Sequence, residues 1–245
     1  MSTDTTAMMA GLGEQYLALA HNLANVNTVG YKRRVSHYAA VAATPAGTGP
    51  AASALAGGGA GPGRASMATD FSQGRLVRTG RSLDLALSGK GFFVLETDQG
   101  ERYTRNGVFR VNADGHLVDG QGRTVAGEGG PVTVPTSVSP MEVDVASDGR
   151  LLAAGAPIGR LRLVAFEDVS GLESEGFGAF AAPNGVQPTA ATDTTVEQGF
   201  QEASNVDAVT ELVGLIQVTR LYEANVQVLM QRKGTGQDLL RVAMA

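Results

Sequence analysis

The chain has 245 residues, 43% of them hydrophobic, with no Cys, no Trp and a formal net charge of −5. Ala and Gly supply 35 and 33 residues, while Leu, Ile, Val and Phe number 58, above the roughly 20% level below which disorder is the default. The missing cysteine excludes a disulfide scaffold, Cys-ligated zinc and a thiol nucleophile, the acidic balance argues against nucleic acid as a partner, and no apolar run approaches the ~18 residues that span a membrane.

Residues 6–30 carry the first element. Met9, Leu12, Tyr16, Leu19, Leu23 and Val26 follow one another at spacings of 3, 4, 3, 4 and 3, a heptad seam with every position apolar. Gly30, after Asn27-Thr28, is the expected helix stop. No Lys or Arg precedes Lys32, so a cleaved signal peptide is not expected.

Residues 39–68 are low in complexity: twelve Ala, seven Gly and three Pro fill 22 of 30 positions. Gly and Pro prevent a continuous helix, and too little side-chain bulk is present to offset ordering entropy. This stretch reads as a linker or a long extended loop.

Residues 69–199 read as β. Apolar runs at Leu83–Leu87, Gly91–Leu95, Val108–Val111, Val132–Val134, Met141–Val145 and Arg160–Phe166 alternate with Asn106-Gly107, Asp114-Gly115, Asp119-Gly120 and Asp148-Gly149. Such pairs favour tight turns. Short strands at this spacing predict an antiparallel sandwich or irregular barrel.

The last element is helical, about 204–243. Ser204 or Asn205 is the candidate N-cap, with Asp207 and Glu211 in the early turns. Leu212, Leu215, Thr219, Tyr222, Val226 and Leu229 repeat the heptad spacing with one polar member. Gly234 and Gly236 are expected to break or fray it. Two seams at opposite ends of a chain leave two arrangements open: an antiparallel helix pair whose leftover apolar stripes want further copies, or two helices packed on the sheet of one α+β domain.

Chemistry is sparse. His21, His37 and His116 have no partner at metal-ligand spacing in the sequence, and no G-x-S-x-G nucleophile elbow occurs. The Gly-rich stretches lack the strand, helix and Lys of a phosphate loop. Asn112, Asp114 and Asp119 lack the closing Glu of a calcium loop. The sequence therefore offers no catalytic, cofactor-binding or metal-binding residues.

The segment around Asn22, Leu23, Ala24, Asn25, Thr28, Gly30, Tyr31 and Lys32 resembles the N-terminal signature of bacterial flagellar rod and hook axial proteins; only His21, where that pattern has Asn, departs from it. Leu83–Phe93 and Tyr103–Phe109 are similar to two further family segments, and Asn205, Tyr222, Glu223 and Asn225 match its final helix. Gly127–Pro135 and Gly159–Val164 look most like the proximal-rod branch; Gly171–Ser174 and the Glu211–Tyr222 helix lean toward the distal-rod branch.

The resemblance implies an α+β architecture. Residues 1–36 and 200–245 would pair as a coiled-coil inner domain, 37–68 would form the Ala/Gly-rich extended segment, and 69–199 an all-β outer domain. It also implies a non-enzymatic subunit of the periplasmic basal-body rod, exported by the flagellar type III apparatus. Its partners would be copies of itself, other rod proteins and hook-side axial proteins, with no cofactor, nucleic acid or membrane insertion. The assembly contacts would fall on the seam residues Met9, Leu12, Tyr16, Leu19, Leu23, Val26, Leu212, Leu215, Tyr222, Val226 and Leu229. The competing reading is a periplasmic or cell-surface β module that binds glycan or peptidoglycan, with the helices as a local clasp.

Overall fold

The structure is a computed structural model that describes residues 2–39, 64–183 and 185–243. Helix α1 spans Ser2–Ala24 and helix α2 spans Ala208–Ala243, with short antiparallel strands between them. The chain forms two compact units: residues 1–24, 34–69 and 207–245 in one, residues 25–33 and 70–206 in the other.

The helical unit contains α1, α2 and most of a two-stranded sheet, Arg33–Ala39 with Arg64–Asp70. These strands flank the low-complexity stretch, so its edges are ordered as strand where the sequence predicts linker. Its centre, 40–63, lies outside the described residues. Helix α1 ends at Ala24, short of the Gly30 stop, because Asn25 starts a turn: its carbonyl accepts from Thr28 N at 3.0 Å and its side-chain oxygen from the Thr28 hydroxyl at 3.1 Å. Val26, the sixth seam position, therefore lies in that turn rather than on the helix.

Helix α2 is capped by Asp207, not by Ser204 or Asn205. The Asp207 carboxylate accepts from Thr210 N at 2.7 Å, the N-cap geometry that satisfies an orphan donor of the first turn. Asn205 is engaged elsewhere, as described below. Gly234 and Gly236 do not end α2, whose 36 residues run to Ala243.

The β unit is built on a curled ten-stranded antiparallel sheet with smaller sheets beside it. Its central strand, Phe92–Thr97, pairs with Gly100–Thr104 on one edge; on the other it pairs with Thr124–Gly127 and Leu163–Ala165. Successive side chains of a strand point to opposite faces. Phe93 and Leu95 thus enter one core with Leu85, Phe109, Leu117 and Leu151, while Phe92 and Val94 enter a second with Tyr103, Phe166 and Phe180. Both faces are covered, which is why this strand reads as an unbroken apolar run rather than an alternating one.

Three expected strands are altered. Val132–Val134 holds only the isolated Thr133 bridge to His116. Met141–Val145 begins as a 3₁₀ turn, Pro140–Glu142, closed by a capping box from Ser139 to Glu142. Arg160–Phe166 divides between the strands Ala156–Arg160 and Leu163–Ala165.

Candidate functional site

In the helical unit, α1 and α2 pack along a shared length with opposite chain directions. Asn22 meets Glu211, Leu19 meets Gly214, and Leu12, Gly13 and Tyr16 lie across from Val218, Thr219 and Tyr222. Among the described residues, those buried on α1 are Gly11, Leu12, Ala18 and Asn22, and those on α2 are Glu211 and Val218. Small residues take part in the contact, and Gly214 shows why. A Cβ there would sit 3.0 Å from Leu19 Cδ2, closer than comfortable van der Waals contact, so glycine lets the axes approach despite its helix cost of roughly 1 kcal/mol.

A polar pair lies at one end of this contact. Asn22 and Glu211 are fully buried. The Asn22 amide donates to Glu211 Oε2 at 3.0 Å and to the Arg34 carbonyl at 2.8 Å, and its oxygen accepts from Arg34 N at 2.8 Å. Glu211 also stands in the first turn of α2, where the helix dipole favours negative charge. Nearby, burial and then Arg34 hold the pKa of His21, an exposed residue, below its ordinary value.

The heptad seams land unevenly. Leu12 is buried; Met9, Leu19, Leu23, Leu215, Val226 and Leu229 are half-buried; Tyr16, Leu212 and Tyr222 are exposed. On α2 the covered face is set by Glu211, Gly214, Leu215 and Val218; it shares Leu215 with the predicted stripe and, at about 100° per residue, is centred about 60° away from it. Beside the covered face, Leu12, Gly13, Tyr16, Val218, Thr219 and Tyr222 line an uncharged groove of about 340 Å³.

The signature residues beyond Asn22 have a different setting. Leu23 and Ala24 close the helix, and Asn25 and Thr28 make the turn. Gly30 adopts φ +67° and donates its N–H to the Glu202 carbonyl at 2.7 Å. A Cβ on Gly30 would lie 2.5 Å from Asn106 N, so the position is closed to any side chain. Tyr31 and Lys32 are buried in the β unit.

Lys32 donates to Glu202 Oε1 at 2.6 Å and to the Ser72 carbonyl at 2.8 Å; Gly74 N donates to the same Oε1 at 2.8 Å. Arg105 Nη1 lies 3.5 Å from Glu202 Oε2, its Nη2 donates to the Gly89 carbonyl at 2.7 Å, and its guanidinium stands 5.0 Å over the Phe92 ring. Burial pushes the Lys32 ammonium below its usual pKa, against the opposing pull of Glu202, and lowers Arg105 in the same way. Asn205 completes the arrangement: its oxygen accepts from Arg33 N at 2.7 Å and its amide donates to the Asp70 and Ser72 carbonyls. The incoming segment Gly30–Arg33 and the outgoing segment Glu202–Asn205 are thereby fastened to each other and to the loop 70–74.

The sequence gives no direct sign of this ion cluster, because Glu202 and Arg105 sit in unrelated segments. The basic run Lys32-Arg33-Arg34 after Tyr31 is visible in the sequence, but nothing in it tells which of the three cations is buried against Glu202. On α2, Tyr222 and Glu223 are exposed, and the Asn225 amide donates back to the Leu221 carbonyl at 2.8 Å. Among the described residues no helix is long and apolar enough to cross a membrane, and no three His, Asp or Glu side chains gather as a metal site would need.

Residues 86–153 match the family described as flagellar hook protein FlgE/F/G D1 domain, and residues 197–241 match flagellar basal body rod FlgEFG protein C-terminal. The chain is 35% identical over 211 residues to a protein of Caulobacter vibrioides named flagellar basal-body rod protein FlgF, covering 84% of this chain and 82% of that one. It is 33% identical to flagellar basal-body rod protein FlgG of Bacillus subtilis, covering 91% of each. To flagellar basal-body rod protein FlgF of Salmonella typhimurium it is 32% identical, covering 94% and 93%.

Proposed function

Since the chain belongs to the flagellar hook and rod protein family FlgE/F/G, we propose that it is a structural subunit of the bacterial flagellar basal-body rod, built into the rod through its terminal helices. The observation that carries the assembly route is the placement of exposed apolar side chains. Of the fifteen large hydrophobics exposed among the described residues, ten lie on α1 or α2, whereas the β unit encloses two cores of its own. A helix pair with an incompletely covered apolar surface is weakly stable alone and gains stability from any neighbour that covers it.

On this reading the two helices act as a coiled-coil inner domain and the β unit as a sandwich-like outer domain. Repetition of one heterologous contact builds a helical rod that transmits motor torque. Its partners are other copies, neighbouring rod proteins and hook-side axial proteins, and the subunit reaches the periplasm through the flagellar type III exporter. Relatives named FlgF and FlgG match at similar identity, so the preference for the proximal rod protein rests on the segments Gly127–Pro135 and Gly159–Val164.

Replacing Leu19 or Leu215 by Asp places a charge at the α1–α2 contact. In a host carrying only the variant, rods should not be completed and the chain should be missing from isolated basal bodies, while the thermal transition of the β unit stays unchanged. Normal swimming by either variant would overturn the assembly route.

A further inference from the structure

The β unit holds a cavity of about 500 Å³ whose lining includes Phe71, Phe92 and Phe166, the buried Arg105, and Lys90 and Glu167, both exposed. Phe92 stands edge-on to Phe71 and to Phe166, with ring centroids 5.6 and 5.8 Å apart. Such a volume lies within the roughly 300–1,000 Å³ of ligand sites, which combine apolar walls with a few polar groups. The polar groups here are cations short of acceptors. The Arg105 side chain is 3% exposed, and its charged neighbour, Glu202, already takes Lys32 and Gly74 N on Oε1. Arg105 Nε and Nη1 have no hydrogen-bond partner among the described residues, and a buried donor left unpaired is destabilising. Lys90 makes no ion pair among the described residues. We propose that this cavity binds an acidic peptide segment, which sets a carboxylate between Lys90 and the Arg105 wall and an apolar side chain against the three rings.

Charge chooses the carboxylate. The lining sets Lys90 and Arg105 against Glu167 alone, a local positive surplus on a chain whose net charge is −5. A surplus of one unit matches a carboxylate more closely than a phosphate ester, which carries about −1.5 to −2. Arg105 lies behind low-dielectric walls, which focus its field into the cleft, so the anion gains from it without touching the guanidinium. The rings choose an apolar neighbour for that carboxylate. A bare anion leaves them uncovered, and an uncharged apolar ligand leaves the cations unanswered. An extended peptide supplies both groups on one side from residues two apart, because alternate side chains share a face. Every residue of this site belongs to the β unit, so the inference neither uses the terminal helices nor rests on the rod reading.

The chain contains no tryptophan, so the fluorescence of a tryptophan probe reads binding directly. The full chain is titrated at low salt with the peptide acetyl-Glu-Gly-Trp-amide and with its counterpart carrying Gln in place of Glu. The expected result is a blue-shifted, saturable signal from the Glu peptide and an affinity at least about tenfold weaker for the Gln peptide. Lys90→Glu should weaken the Glu peptide by at least about tenfold as well. Arg150→Glu makes the same charge change at an exposed side chain outside the lining and should leave the affinity unchanged. Thermal transitions of both variants check that the β unit is folded. Equal affinity for the two peptides, equal effects of the two substitutions, or no saturation at millimolar probe would overturn the proposal. Tighter binding of phenyl phosphate than of the Glu peptide overturns it too, in favour of a phosphate ligand.

Discussion

Lys32→Met tests whether the signature lysine acts by fastening the chain where it enters and leaves the β unit. The substitution deletes the 2.6 Å bond from Nζ to Glu202 Oε1 and leaves a fully buried carboxylate. Breaking a buried pair from one side costs about 3–5 kcal/mol. Arg105 still faces Glu202 and Gly74 N still donates to it, so the expected loss is about 3 kcal/mol, at the low end of that range. Glu202→Gln instead strands two buried cations, and the expectation is the high end, about 5 kcal/mol.

At roughly 2–4 °C per kcal/mol for a chain of this size, calorimetry should show Tm lowered by about 6–12 °C and about 10–20 °C. The double variant should lose less than the sum, with a coupling of about 2–3 kcal/mol. The pH dependence has a definite sign. Burial lowers the Lys32 pKa from 10.5, so between the lowered value and 10.5 the unfolded chain binds more protons and stability from this residue rises with pH. The Tm gap between wild type and Lys32→Met should widen through that window. Additive losses, or shifts under about 2 °C for both single variants, would refute the reasoning.

Two glycines give sharper steric tests. Gly30→Ala forces an L-residue into the left-handed region with its Cβ 2.5 Å from the Asn106 backbone, so strain and overpacking should together cost about 2–4 kcal/mol; an unchanged Tm would show that the backbone relaxes freely there. Gly214→Ala asks only the flexible end of Leu19 to move and should keep cells motile, whereas Gly214→Leu should separate α1 from α2 and abolish swimming. Wild-type motility in the leucine variant would mean the close helix approach is dispensable.

The sequence reveals what depends on local chemistry. Turn pairs such as Asp114-Gly115 and Asp148-Gly149 sit at real turns because glycine at positive φ is a local requirement, met here at φ +84° and +83°. The run Gly91–Leu95 becomes the central strand because both of its faces are buried. What the sequence leaves hidden depends on pairing across distance. Asn205 looks like an N-cap until its amide is taken by Asp70 and Ser72, and the cap passes to Asp207. The strands Arg33–Ala39 and Arg64–Asp70 carry few β-formers, and each is a strand by virtue of the other. The covered face of α2 turns by about 60°, at about 100° per residue, because buried Asn22 and Glu211, polar and off the apolar seam, take part in the contact that the heptad count assigns to leucines.

That polar pair bears on why the helices are built so lean. An all-apolar interface would be stronger but would tolerate sliding, since one leucine replaces another at each heptad step. A buried Asn bonded to a buried Glu has one satisfied register, and moving either helix by a turn leaves both groups desolvated without a partner, at about 1–3 kcal/mol or more each. Small residues at Gly11, Ala18 and Gly214 then bring the axes close without adding grip. Register is thus fixed inside each chain while Val209, Leu212, Val213 and Ile216 stay on the surface. A fixed register keeps this exposed face in one arrangement, which a stronger but sliding pair would not.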